Sequence, residues 1–139
     1  MFLLISQKNN IVRYLPSDET NIALNLKQAY PDVEMARFNL LTNTLYWLER
    51  SLGQILYLSP QNKISRLNLC KPNAKPIFFT IDFLSNTLYW TDEFDSSISF
   101  VRLNFTGHGK DNGAERECGI VFQHEDSHPT KITAFPERG

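Results

Sequence analysis

The chain has 139 residues, enough for one ordinary domain, and its make-up is globular: 42% hydrophobic, 21% charged and 12% aromatic. Fourteen basic against fifteen acidic residues leave a formal charge of −1, which argues against a surface built to neutralise nucleic-acid phosphates. No run of about 18 apolar residues occurs, so no membrane-spanning segment is expected within it.

In chain order, Met1-Phe2-Leu3-Leu4-Ile5 is apolar but stops at Ser6-Gln7-Lys8. It is too short for a signal-peptide core and no basic region precedes it, so a strand is predicted. Asn21–Tyr30 is predicted as the strand and loop that end this opening unit. Short apolar runs follow at Met35–Phe38, at Tyr46-Trp47 after a turn at Thr42-Asn43, at Ile55–Leu58 and at Ser65–Leu69. The same order returns as Ile77–Ile81, a turn at Ser85-Asn86, Tyr89-Trp90, Ile98–Val101 and Ile120–Phe122. Each run is bounded by Asn, Ser, Pro or Gly and none sustains an i, i+3, i+4 pattern, so helix is excluded and antiparallel meanders are predicted.

The two copies are in phase. Asn43-Thr44-Leu45-Tyr46-Trp47 recurs as Asn86-Thr87-Leu88-Tyr89-Trp90, 43 positions later, and includes both tryptophans of the chain. Period-2 alternation puts Tyr46 and Tyr89 on one face of their strands and Trp47 and Trp90 on the other. Four-stranded meanders at this period are the blades of a β-propeller, whereas solenoids of similar period are mostly helical. Pro129–Gly139 repeats the frame of Pro76–Asn86, which places a third Tyr-Trp just past the last residue. The expected layout is opening strands over 1–30, a first full blade over 31–70, a second over 71–124 with an insertion at 107–117, and the start of a third over 125–139. The fold class is all-β, about two and a half four-stranded antiparallel blades, with the chain cut inside a repeat.

Tyr89-Trp90-Thr91-Asp92, with the upstream Pro76-x-x-Phe79-x-Ile81-Asp82 and the following Ile98, resembles the YWTD, or class B, repeats of the low-density lipoprotein receptor family. The likeness runs over essentially the whole chain. It implies a partial six-bladed propeller neighbouring an epidermal-growth-factor-like module, with the motif aspartate acting as a structural hydrogen-bonding group. The first copy departs from the motif at Tyr46-Trp47-Leu48-Glu49, and Asn39 and Phe135 stand where the second copy has Asp82.

Tyr46, Trp47, Glu49, Asp82, Tyr89, Trp90, Thr91 and Asp92 are therefore expected to be structural rather than an aromatic platform or a catalytic carboxylate pair. Asn104-Phe105-Thr106 is an N-glycosylation acceptor, which favours the secretory route. The polar insertion contains His108, and His124-Glu125-Asp126-x-His128 lies beyond it. These histidines are candidates for a binding or pH-responsive loop, since histidine as a class gains charge between pH 5 and 8. The spacing is too local for a metal site, and no metal or cofactor is expected. Cys70 follows the fourth strand of one blade and Cys118 precedes the fourth strand of the next, which argues against a disulfide between them.

The resemblance implies a non-enzymatic extracellular module of an endocytic or signalling receptor, binding a protein ligand or releasing it in acid. Its surroundings would be neighbouring EGF-like modules and a membrane-anchored parent. The alternatives are a matrix scaffold resembling nidogen and a hydrolase resembling the lactonase propellers, which needs carboxylates converging on a central metal.

Overall fold

The computed structural model describes residues 3–7, 10–14, 22–24, 33–39, 41–61, 63–103 and 117–134, and every regular element among them is a strand. The chain divides into two units, Met1–Leu67 and Asn68–Gly139.

The first unit opens with β1 (Leu3–Gln7), β2 (Asn10–Tyr14) and β3 (Ile22–Leu24), an antiparallel sheet in chain order. It continues with β4 (Val33–Asn39), β5 (Thr44–Glu49), β6 (Gln54–Leu58) and β7 (Ile64–Arg66), a four-stranded antiparallel meander. The second unit holds β8 (Pro76–Asp82), β9 (Thr87–Asp92), β10 (Ser97–Arg102) and β11 (Cys118–Gln123), again a meander in chain order.

The turns explain why the meanders close where they do. Asn43 and Asn86, one between β4 and β5 and the other between β8 and β9, both take φ of 51°, a left-handed conformation that asparagine tolerates better than most side chains. On the next hairpin Gly53 (φ 59°) and Ser96 (φ 56°) hold the equivalent position. The first strands of the two meanders also share an irregularity near their starts: β4 shifts register between Glu34 and Ala36, where Met35 has φ of 50°, and β8 between Pro76 and Phe78. Such a bulge leaves one residue unpaired, disrupts the ladder locally and increases the twist.

Register decides what packs around each tryptophan. Ala36, Trp47 and Leu56 lie opposite one another across β4, β5 and β6, as do Phe38, Leu45 and Leu58. With Ile64 they form one apolar cluster around the buried Leu45, Trp47 and Leu56. On the other face Tyr46 meets Tyr57 with ring centroids 5.9 Å apart. All six residues of β5 are buried, so both of its faces are covered, not only the tryptophan side. In the second unit the rows are Phe79–Trp90–Ser99 and Ile81–Leu88–Val101. Burying each such large apolar side chain contributes roughly 1.5–3 kcal/mol.

Beyond β11 the structure departs from expectation. Residues 129–134, where the first strand of a third blade was anticipated, are in no strand. A strand needs a hydrogen-bonded neighbour for its N–H and C=O groups, and none pairs with this stretch among the described residues. Ile132 and Ala134 instead help line a cleft of about 270 Å³ with Thr80, Asp82, Tyr89 and Ile98. Among the described residues no helix is long and apolar enough to cross a membrane.

Candidate functional site

The motif strand β9 ends on Asp92, whose side chain is fully buried. One oxygen, Oδ1, accepts the backbone N–H of Phe94 at 2.9 Å and that of Lys75 at 3.0 Å. The first of these closes the turn into β10. The second ties that turn to the segment leading into β8, where Glu93 N–H also donates to Lys75 O at 3.0 Å. The other oxygen, Oδ2, lies 2.9 Å from the Lys71 ammonium, an approach of charges rather than an aligned hydrogen bond. A side chain with a single methylene suits this work, because a short carboxylate accepts N–H groups from its own turn.

Lys71 gathers the rest of the cluster. Its ammonium also meets Asp95 Oδ2, donates to Ser97 Oγ at 2.9 Å and sits 5.3 Å from the centroid of the Trp90 ring. Two carboxylates, a hydroxyl and an indole face thus surround one largely buried cation, which offsets the cost of taking its charge out of water. Burial alone would raise the Asp95 carboxyl, but hydrogen bonds from Lys71 and Ser97 and the Lys71 charge together hold it below its ordinary value. Neither Lys71 nor Asp95 stands out in the sequence, since a pairing across more than twenty positions leaves no local pattern.

Glu49, the counterpart of Asp92, is equally buried but differently employed. Its Oε1 accepts the Ser51 hydroxyl at 2.8 Å, and its Oε2 has no hydrogen-bond partner among the described residues. Asn39, by contrast, reproduces Asp82 closely. Asn39 Oδ1 accepts Leu41 N–H and Asp82 Oδ1 accepts Leu84 N–H, both at 3.0 Å. Asp82 Oδ2 additionally takes the Ser85 hydroxyl. That bond, with the Leu84 and Ser85 amides and the Arg102 charge, outweighs partial burial and holds the Asp82 carboxyl below its ordinary value.

Tyr46, Trp47, Trp90 and Thr91 are buried, and Tyr89 is half-buried against the cleft. The apolar surface that remains open lies elsewhere, at Leu41 and Phe83-Leu84 on one set of hairpin tips, Leu52 and Phe94 on the other, and Ile120–Phe122 on β11. Asn104, His108 and the insertion up to residue 116 lie outside the described residues. His124 and His128 are exposed; His128 Nδ1 lies 2.6 Å from Ser96 Oγ, and His124 Nδ1 accepts Asp126 N–H at 3.3 Å. Among the described residues no group of three or more His, Cys, Asp or Glu is arranged to hold a metal ion.

The cysteines are a correction. Cys70 and Cys118 form a disulfide with their Cα atoms 6.5 Å apart, although their order along the chain argued against it. The reason is where the unit boundary falls. Cys70 was assigned to the tail of the first blade, but the chain divides after Leu67, so Cys70 belongs to the segment entering the second unit. There it lies beside Cys118 at the start of β11, around a small cavity of about 180 Å³ shared with Leu69, Ser99 and Gly119.

No family model matches the chain. Low-density lipoprotein receptor-related protein 5 of Mus musculus is 28% identical over 149 residues, which covers 99% of this chain and 8% of that protein. The Homo sapiens protein of the same name is 26% identical over 145 residues, again 99% of this chain and 8% of its own length. Among solved structures, the nidogen/laminin complex matches with a TM-score of 0.61 at 19% identity, over 88% of this chain and 44% of that one. These likenesses, over nearly the whole chain, support YWTD repeats of the low-density lipoprotein receptor family.

The chain thus spans 8% of the length of the curated relatives it matches. A streptogramin B lyase also superposes, with a TM-score of 0.62 at 13% identity over 91% of this chain and 38% of that one, which identifies a shared partial β-propeller and nothing finer. In the second YWTD repeat, the four letters divide their work between packing and tethering. Trp90 fills the space beside Phe79, and Asp92 fastens the turn and the incoming segment.

Proposed function

We propose that the chain is a non-catalytic, protein-binding part of a six-bladed propeller in an extracellular receptor. What supports this is the likeness along nearly the whole chain to a receptor-related protein, in a structure that buries Tyr46, Trp47, Glu49, Trp90, Thr91 and Asp92. A platform or catalytic pair made from them would have to be exposed. The module works as a rigid scaffold: buried aromatics and the Lys71–Asp92–Asp95 cluster hold the strands, and exposed turns meet a protein ligand. EGF-like modules adjoin the completed ring, and the parent is membrane-anchored, with Asn104 carrying a glycan. His108, His124 and His128 are the residues through which acid would release the ligand. Two alternatives share the fold: a matrix scaffold like nidogen and an enzyme like the lyase.

The test uses the parent protein in intact cells. Surface biotinylation should label it, and peptide N-glycosidase treatment should lower the mass of the tryptic peptide containing Asn104. A parent confined to the cytosol, or turnover of a streptogramin B by the purified ectodomain, would overturn the proposal.

A further inference from the structure

The Cys70–Cys118 disulfide occupies a place that the motif network does not explain. Cys70 is exposed, holds φ of 59° with its N–H on Asn68 Oδ1 at 2.9 Å, and precedes Lys71 in sequence. Lys71 is the cation that meets both Asp92 and Asp95 among the described residues. The other half of the bond, Cys118, is built into the sheet, paired with Val101, whose neighbour across β9 is Leu88. The disulfide therefore fastens the segment carrying Lys71 to the outer strand of the same sheet, one residue from the ammonium that closes the cluster.

We infer that Cys70–Cys118 is a redox-sensitive latch that sets whether Lys71 stays on Asp92 and Asp95. Exposed disulfides are the ones open to exchange. A thiolate of an external dithiol attacks Cys70 Sγ, a mixed disulfide forms, and Cys118 leaves as a thiolate that takes up a proton. The second thiol of the reagent then displaces Cys70, so that the dithiol is oxidised to its own disulfide and two protein thiols are produced. Once cut, the 68–75 segment keeps the backbone bonds of Lys75, the exposed Lys75–Glu93 ion pair and the contacts of Lys71 itself, but loses its covalent tie to β11. The ammonium gains access to water, and Asp92 loses the charge that balances it in the interior. The device does not depend on the receptor proposal.

Two amides report the state of the latch, because Lys75 N–H and Phe94 N–H both end on Asp92 Oδ1, while Leu84 N–H ends on Asp82 and provides a reference in the same unit. Hydrogen exchange of the full chain is measured with and without dithiothreitol. Reduction is expected to speed exchange at Lys75 and Phe94 at least about threefold while Leu84 changes by less than about twofold. Lys71→Met should give the same pattern with the disulfide intact. The Cys70→Ser/Cys118→Ser double variant should give it without reductant and show no further response to dithiothreitol. Unchanged Lys75 and Phe94, or equal acceleration of all three amides, would overturn the inference; the second outcome would make the bond a general staple. The wild-type comparison with and without dithiothreitol stands even if a variant does not fold.

Discussion

Trp90 stands between Phe79 on β8 and Ser99 on β10, and its counterpart Trp47 stands between Ala36 on β4 and Leu56 on β6. Each tryptophan thus has one large and one small neighbour, on opposite sides in the two repeats. A large and a small residue flank the indole in both repeats with their order reversed, a compensating exchange of the kind close-packed interiors tolerate.

This arrangement makes Phe79 and Ser99 a coupled pair. Phe79→Ala should destabilise by about 3–5 kcal/mol through the cavity it leaves. Adding Ser99→Leu, which copies the first repeat, should recover more than about 1 kcal/mol of that loss. Urea unfolding of the two single variants and the double variant measures the coupling, and simple additivity would show that the two side chains do not share the space.

Asn39 and Asp82 hold equivalent turns, one with an amide and one with a carboxylate. Asp82→Asn should therefore cost less than about 0.5 kcal/mol, while Asp82→Ala should cost about 1 kcal/mol, because the Leu84 N–H and the Ser85 hydroxyl lose their acceptor. Urea midpoints of the two variants separate these outcomes.

Stability should depend strongly on the charge partner of Asp92 and weakly on the charge of Glu49. Lys71→Met strands Asp92 in the interior and should cost about 3–5 kcal/mol. Glu49→Gln removes a buried charge whose second oxygen has no hydrogen-bond partner among the described residues, and should change stability by less than about 1 kcal/mol. Thermal unfolding of the intact chain checks both; a larger loss from Glu49→Gln would mean that its carboxylate has an essential charge partner.

Acid should act through Asp82 and Asp95. Both are held below the ordinary aspartate value of 3.8, so their contribution is present above it and disappears as pH falls through the lowered folded values. Urea midpoints taken from about pH 6 downward should hold steady until about pH 4 and then fall, less steeply in Asp82→Asn than in the parent sequence. A fall already complete by about pH 5 would assign the loss to other groups.

The blades were legible because their signals are local. Alternating apolar residues, Asn43 and Asn86 at the turns, and the repeated Tyr-Trp are all read within a few positions, and the hairpins follow from them. What stayed hidden depends on contacts across the fold. The Lys71–Asp92–Asp95 cluster joins an incoming segment to a distant turn. Cys70 was assigned to the wrong unit because the sequence shows a period but not the residue at which one unit gives way to the next. Pro129–Ala134 matches Pro76–Ile81 in spacing, yet a strand also needs a neighbour, and spacing does not supply one.

The proposed receptor module requires the two four-stranded sheets to be successive blades of a six-bladed ring. Electron cryomicroscopy of the parent ectodomain tests that most directly. The expected result is β4–β7 and β8–β11 as adjacent blades around a common channel, with Lys71 on Asp92 inside the second. Two sheets packed face to face as a sandwich, or a ring with a different number of blades, would contradict it.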